Sequence, residues 1–341
     1  MAMRVLLRAC FLPTLLLALI AGVLGCQLLP QQAPQKVTLQ SATLRLGHDL
    51  AANSFYDQQM QRFAQMVKEK TSGKIEIQVF AGGTLGKGPE MSEDVKAGTL
   101  DMQLSGTPHL QPIWAPIGVL DLPFVLNNWD QGINIVEGAP GKYLSDGLVK
   151  ATGIRVLGWA PLGRRVLISK PAVKTLNDMK GLKIRVASSQ VYIDSMKALG
   201  AVPNTIAWTE LYQALQTGAT DAGEGPPDIL YATKLHEPAK NVTKTWHFAT
   251  YGVIIINDKK FSQLTTDAQL ALIEAAKVIE ADIHAKKTQQ EQEGLDQLKA
   301  GGATIHDIDT AALQNAVSGV WEAYASKNNV TDLINQIKQT K

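Results

Sequence analysis

Apolar and polar residues alternate from Thr43 to His48 and again from Lys74 to Phe80 (KIEIQVF), the period of a half-buried strand. Between them, apolar positions fall at Phe55, Met60, Phe63, Met66 and Val67, the spacing of one helix face, and Ser72-Gly73 stops that helix. Gly82, Gly83, Gly86 and Gly88 predict a mobile loop. Pro89 then opens a helix where its missing N–H costs nothing, Gly98 ends it, and Leu100 to Leu104 begins a third strand. The order β-α-β-α-β predicts an α/β lobe with a largely parallel sheet.

The second half echoes the first. A helix ending VKAGTLDM in one half answers a helix ending LQTGATDA in the other. Each has a capping glycine, Gly98 or Gly218, and an aspartate three residues later, Asp101 or Asp221, entering a strand. Either two related lobes or two ordinary helix-to-strand junctions produce that pattern. From Thr265 a proline-free helical run of more than thirty residues is predicted, long enough to pack across two lobes. Tyr251 to Asn257 (YGVIIIN) reads as a buried strand crossing back between lobes, and helices near Asp309–Lys327 and Thr331–Lys338 close the chain.

The N-terminus changes the compartment. Arg4 and Arg8 precede an apolar run (PTLLLALIAGVL) too short for a confident membrane span, and Gly25-Cys26 follows. Residues 1–25 are expected to be a secretory signal, with Cys26 as the lipidated first residue of the mature chain and residues 26–40 as a tether. Bulky Leu24 leaves ordinary signal cleavage as the competing reading. Cys10 lies inside the signal, so the mature chain has no internal disulfide and no cysteine metal site. The signal also takes two of the 33 basic residues, leaving the remainder balanced against 31 acids. With no basic stripe, nucleic acid is excluded as a partner.

Candidate chemistry clusters between Gly163 and Pro226. Alternation in Leu182-Lys183-Ile184-Arg185-Val186 puts Arg185 opposite the apolar face. Taken alone, that describes an arginine in solvent. Arg165 near the same side makes a receptor site the better reading, since a guanidinium holds a carboxylate by two parallel hydrogen bonds. Trp208, after a proline-containing turn, is either core or a wall of the ligand pocket. Gly223-Glu224-Gly225-Pro226-Pro227 is a turn whose glycines permit close backbone approach. No nucleophile elbow, zinc-protease or phosphate-loop motif is present, and the six histidines have no metal-ligand spacing. His48-Asp49 could support acid–base work, though a structural pair is the plainer reading. No catalytic residue, metal or cofactor is expected.

With LRLGHD, FAQMVKEKTSGKIEIQVF, GTLG, VKAGTLDM, DLPFV, G-R-R, DMKGLKIRV, ALGAVP and ELYQALQTGATDA in this order, nearly the whole mature chain resembles the solute-binding proteins of tripartite ATP-independent periplasmic (TRAP) transporters. The resemblance implies a two-lobed, type II-like periplasmic binding protein fold of α/β class with a long helix spanning both lobes. Lobe I is expected over 41–162 plus 251–290 and lobe II over 163–250 plus 291–341. It implies Arg185 as the carboxylate-binding arginine, Arg165 (not Arg164) as the second, and Trp208 as the pocket aromatic. First-lobe contacts fall near Asp49, Gly106, Thr107 and His109, with Glu224 and Gly225 on the other side. Where the family commonly has D-G-Q-E-N-P this chain has Asp221 to Pro226, so Gly225 replaces an asparagine and one side-chain amide is lost. The implied function is a periplasmic, lipid-anchored receptor delivering a small organic anion to membrane permease subunits. An enzyme on the same scaffold, using His48-Asp49 or Glu224, and a receptor for a sensor protein are the alternatives.

Overall fold

The computed structural model describes residues 38–126 and 128–341. The signal segment, Cys26 and most of the tether lie outside the described residues.

Two sheets organise the chain. The first contains β1 (Ala42–Gly47), β2 (Ile75–Phe80), β3 (Met102–Gly106), β4 (Ile154–Arg164) and β10 (Ala249–Asn257), in the order β2-β1-β3-β10-β4. The second contains β5 (Val166–Ser169), β6 (Lys183–Val186), β7 (Val202–Thr205), β8 (Ala222–Gly225), β9 (Asn241–Thr243) and β11 (Thr304–His306), in the order β11-β9-β5-β8-β6-β7. In each sheet three strands joined through helices form a parallel unit with the first strand in the middle, β2-β1-β3 and β7-β6-β8. An antiparallel strand flanks each unit, β10 beside β3 and β5 beside β8. The echo in the sequence is therefore an echo in topology. Gly98 and Gly218 cap equivalent helices in the left-handed conformation, both at φ 81°, which only glycine adopts at little cost.

β10 is buried over its first eight residues, and its unbroken apolar run follows from its central place between β3 and β4. It starts two residues before the predicted strand, where Ala249 pairs with Arg164. Here the chain passes between sheets. β4 runs through Arg165 straight into β5, and the Arg165 N–H donates to the Phe248 carbonyl (2.8 Å) just before β10 begins. The two crossing segments thus lie side by side.

The predicted long helix spans Thr266–Ala300, 35 residues, capped by the Thr265 hydroxyl. It packs on β4 and helix Phe55–Lys70 of the first half and on helix Pro227–Ala232 of the second. Gly294 permits the last contact, since a Cβ there would lie 2.3 Å from the Asp228 nitrogen. Fully buried Lys287 ties the same elements together, donating to Tyr56 Oη (2.7 Å), the Leu162 carbonyl (2.9 Å) and Asp228 Oδ2 (3.0 Å). One turn on, Glu291 accepts from the Arg164 backbone N–H (2.7 Å), the Arg164 guanidinium and Trp129 Nε1 (3.0 Å).

Residues 291–341, expected with the second lobe, divide between the two. β11 joins the second sheet. The final helices lie against helix Gln190–Ala198 of the second half, but also against the first. Trp321 donates to the Pro123 carbonyl (2.9 Å), and helix Thr331–Gln339 packs on helix Ala139–Thr152.

Candidate functional site

The carboxyl ends of the parallel strands of both sheets face one cavity, the place where open α/β sheets bind ligands. From the first half come Asp49 and Leu50, just past β1, and Gly106, Pro108 and His109, at the end of β3. From the second come Arg185 in β6, Ala187 just past it, and Pro226 and Ile229, just past β8. Leu162, Arg165 and Thr250 enter from the crossing segments, and Trp208 forms a side wall. The cavity is partly open to solvent, with a volume of about 50 Å³. Contacts also join the two halves directly. Lys87 Nζ lies 2.7 Å from Glu210 Oε1, and a Cβ on Gly83 would lie 3.1 Å from the Thr209 methyl. Elsewhere between the halves the Gln190 N–H donates to Gln111 Oε1 (2.6 Å).

The two arginines have opposite surroundings. Arg165 spends four of its five N–H donors inside the protein. Its Nε and Nη2 donate to the Glu224 carboxylate, Nη2 also to the Glu224 carbonyl (2.7 Å), and Nη1 to Thr250 Oγ1 (3.3 Å), while its face lies over Tyr192. Burial opposes its charge, but Glu224, with Tyr192 and Asp121, holds its pKa above the usual arginine value.

Arg185 is only 2% exposed, against the solvated arginine its strand alone suggested. Its Nε donates to the Ile206 carbonyl (2.7 Å) and its guanidinium lies 5.4 Å over the Trp208 ring. Among the described residues its two terminal nitrogens have no hydrogen-bond or ion-pair partner. Burial pulls its pKa down to about 10, with Glu224 opposing and Arg165 adding to the shift. The group stays cationic at neutral pH, desolvated and unpaired beside an open space. An anion arriving there gains a charge-assisted bidentate contact at low effective dielectric.

The facing wall is different. Asp49 projects a carboxylate with no hydrogen bond among the described residues. His109 keeps a buried Nδ1 without a partner, and burial lowers its pKa, with Asp49 opposing and the two arginines assisting. Gly88 makes room for both. A Cβ there would lie 2.5 Å from His109 Nδ1 and 2.6 Å from Asp49 Oδ2.

The remaining residues named from the sequence stand behind the wall. Thr107 is fully buried, donating to Asp121 Oδ1 (2.7 Å). Glu224 is consumed by Arg165. Gly225 backs Trp208, where a Cβ would lie 3.1 Å from the indole. Trp208 itself is half-buried in a 3-10 turn, Trp208–Glu210, ahead of helix Leu211–Thr217. His48 is fully buried and pairs with Asp57 (Nε2 to Oδ1, 3.2 Å), not with Asp49, and burial lowers its pKa. That removes the acid–base pair suggested by adjacency. No group of three or more metal-binding side chains occurs among the described residues.

The family model for bacterial extracellular solute-binding protein, family 7 (DctP), matches residues 46–328. The chain belongs to that family. The 2,3-diketo-L-gulonate-binding periplasmic protein YiaO of Escherichia coli is 30% identical over 284 residues, covering 82% of this chain and 86% of that protein. Among solved structures, a TRAP periplasmic solute-binding protein from Citrobacter koseri with bound D-glucuronate superposes with TM-score 0.84 at 30% identity, over 88% of this chain and all of that one. One from Roseobacter denitrificans with bound β-D-glucuronate gives TM-score 0.84 at 27% identity, with the same coverage. The family and these neighbours are periplasmic binding proteins of transporters, not enzymes, and the two-lobed α/β fold with its long helix is theirs.

Sequence reasoning missed most of the apolar lining, including Leu50, Leu104, Leu162 and Ile229, because nothing in a strand's pattern says which buried leucine ends at a cavity. It also missed Thr250 and Asp121. Asp121 is fully buried, and burial lifts its pKa to about 8, against the Thr107 hydrogen bond. Its place beside the Leu122-Pro123 break was the one available signal.

Proposed function

We propose that the chain is the extracytoplasmic receptor of a TRAP transporter for a small organic acid, which it passes to membrane permease subunits. The observation that carries this reading is Arg185, a buried cation lining a cavity between two sheets, with two terminal nitrogens unpartnered among the described residues. Arg185 holds the ligand carboxylate. Arg165, fixed by Glu224, contributes field from below, and Trp208 covers the ligand body. Asp49 and His109 meet its far end. Thr107 supports this wall through Asp121, and Gly225 leaves room for Trp208. The sugar acids bound by the neighbours fit a receptor that recognises a carboxylate.

The lobes divide at the crossing, near 163–165 and 244–249, with the final helices shared. Because the site draws on both sheets, ligand binding favours the closed state, and that state docks on the permease. The mature protein is tethered at Cys26. Labelled fatty acid incorporated into wild type but not into Cys26→Ser tests the anchor.

Arg185→Ala should weaken carboxylate binding by about 2–5 kcal/mol, the scale for removing one partner of a buried charge pair. Calorimetry showing equal affinity in the variant would reject the assignment.

A further inference from the structure

Leu50, just past β1, and Ile229, in helix Pro227–Ala232, each line the ligand cavity and also a second cleft. That cleft has a volume of about 280 Å³ and is partly open to solvent. Leu50 and Ile229 are buried, at 7% and 6% exposure, in one apolar cluster with Tyr56 and Leu162. Two side chains, one from each half of the molecule, therefore stand between the two spaces. Behind them the rings of Phe55 and Tyr231 line the second cleft. Asp228 Oδ1 and Gln290 Oε1 are buried there without a hydrogen-bond partner, and Glu293 adds a further carboxylate. Lys287 fixes the floor by holding Tyr56 and Asp228 from below. No lysine or arginine lines this cleft among the described residues. Aromatic faces and acceptor oxygens suit a neutral ring or a hydroxylated group, and a second carboxylate would meet Asp228 and Glu293.

We infer that Leu50 and Ile229 determine specificity by ending the ligand site, an inference that rests on the carboxylate-receptor reading above. Leu50 follows Asp49 on the wall facing Arg185, so an acid seated on Arg185 meets the two apolar side chains with its far end. The receptor takes an acid that stops there and rejects the same acid extended by a neutral group. Rejection is steric, since a group pushed into a packed wall forces side chains off their rotamers. Shortening either side chain joins the ligand cavity to the second cleft and gives the extension a place to go. The wall sets where the ligand ends, and does not choose among acids that stop short of it.

Calorimetry on the purified protein with D-glucuronate and phenyl β-D-glucuronide tests this, because the phenyl group lies across the sugar ring from the carboxylate. Wild type should bind D-glucuronate at least about 100-fold more tightly than the glucuronide. Leu50→Ala and Ile229→Ala should each narrow that ratio by about 10-fold or more. Adding Tyr231→Ala to Leu50→Ala should widen it again, which places the phenyl group in the second cleft. Both wall residues are buried, so Leu50→Val and Ile229→Val stand in for an alanine variant that fails to fold, with a narrowing of about 3-fold. Wild type binding both compounds equally overturns the inference, as do shortened variants that still bind D-glucuronate with the ratio unchanged. If neither compound binds any of these proteins the inference falls. The receptor reading is then decided separately, by whether Arg185→Ala loses binding across a wider set of carboxylates.

Discussion

The two halves of the molecule share a plan and differ in charge. Each arranges three parallel strands in the same order, caps the last helix with a left-handed glycine, and ends the third strand at a glycine followed within two residues by proline (Gly106-Thr107-Pro108, Gly225-Pro226-Pro227). What the ends of those strands carry is not shared. The first half presents Asp49 and His109, and the second presents Arg185, with Arg165 at the crossing. Matching scaffolds with unlike tips give a cleft with a cationic and an acidic side, which would orient an asymmetric acid in the proposed receptor. The two arginines sharpen the lesson. Arg165 spends four of its five donors on the fold, whereas the two terminal nitrogens of Arg185 have no partner among the described residues.

That contrast can be broken experimentally. The largest effect should come from Arg165→Met, which leaves Glu224 buried without its partner and should cost about 3–5 kcal/mol of stability in urea unfolding. Arg185→Met should leave the unliganded protein as stable as wild type, or more so, because it removes an unpaired buried charge, yet abolish binding. If both variants lose stability equally, the division of roles is wrong. On the facing wall, Asp49→Ala and His109→Ala should each lower affinity by about 1–2 kcal/mol while leaving the carboxylate requirement intact, read by titration calorimetry.

Asp121, beneath Thr107, supplies a pH test. Its folded pKa of about 8 lies above its unfolded 3.8, so its contribution to stability is full below the unfolded value and is lost as pH rises through about 8. Melting temperatures of Asp121→Asn should therefore decline less than those of wild type between about pH 5 and pH 8. Equal slopes would place the proton elsewhere. The smallest effect should come from Lys87→Ala, in the ion pair between the halves. Ligand dissociation should quicken slightly at low salt and match wild type at high salt, since the Lys87–Glu210 pair is exposed. A salt-independent change in off-rate would show that the pair is not the latch.

Much of this was readable in advance. Helix Phe55–Lys70 ends where its apolar spacing ends, and the long helix starts at its threonine cap. Gly98 and Gly218 marked the echo that became two matching sheets. Arg185, Arg165, Trp208, Asp49 and His109 do line one cavity. Thr107 and Glu224 do not, because a polar residue near a strand end serves a ligand or a buried neighbour equally well as far as spacing shows. His48 was read beside Asp49 when its partner, Asp57, lies on the following helix, nine residues away. The last helices, Trp321 included, settle partly on the first half because the apolar faces they cover belong to helices far away in sequence.

Local order came from the chain itself: period, caps and breakers act within a few residues, so strands, helices and the repeated unit follow from neighbours alone. Folding decided which charges stay paired. Whether a buried guanidinium finds Glu224 or an empty space depends on side chains brought together from distant segments, and the free energy of burying a charge is set by that company. The same chain chemistry that made Arg165 part of the frame left Arg185 available to a ligand, and only the packing of two sheets against one long helix distinguishes them.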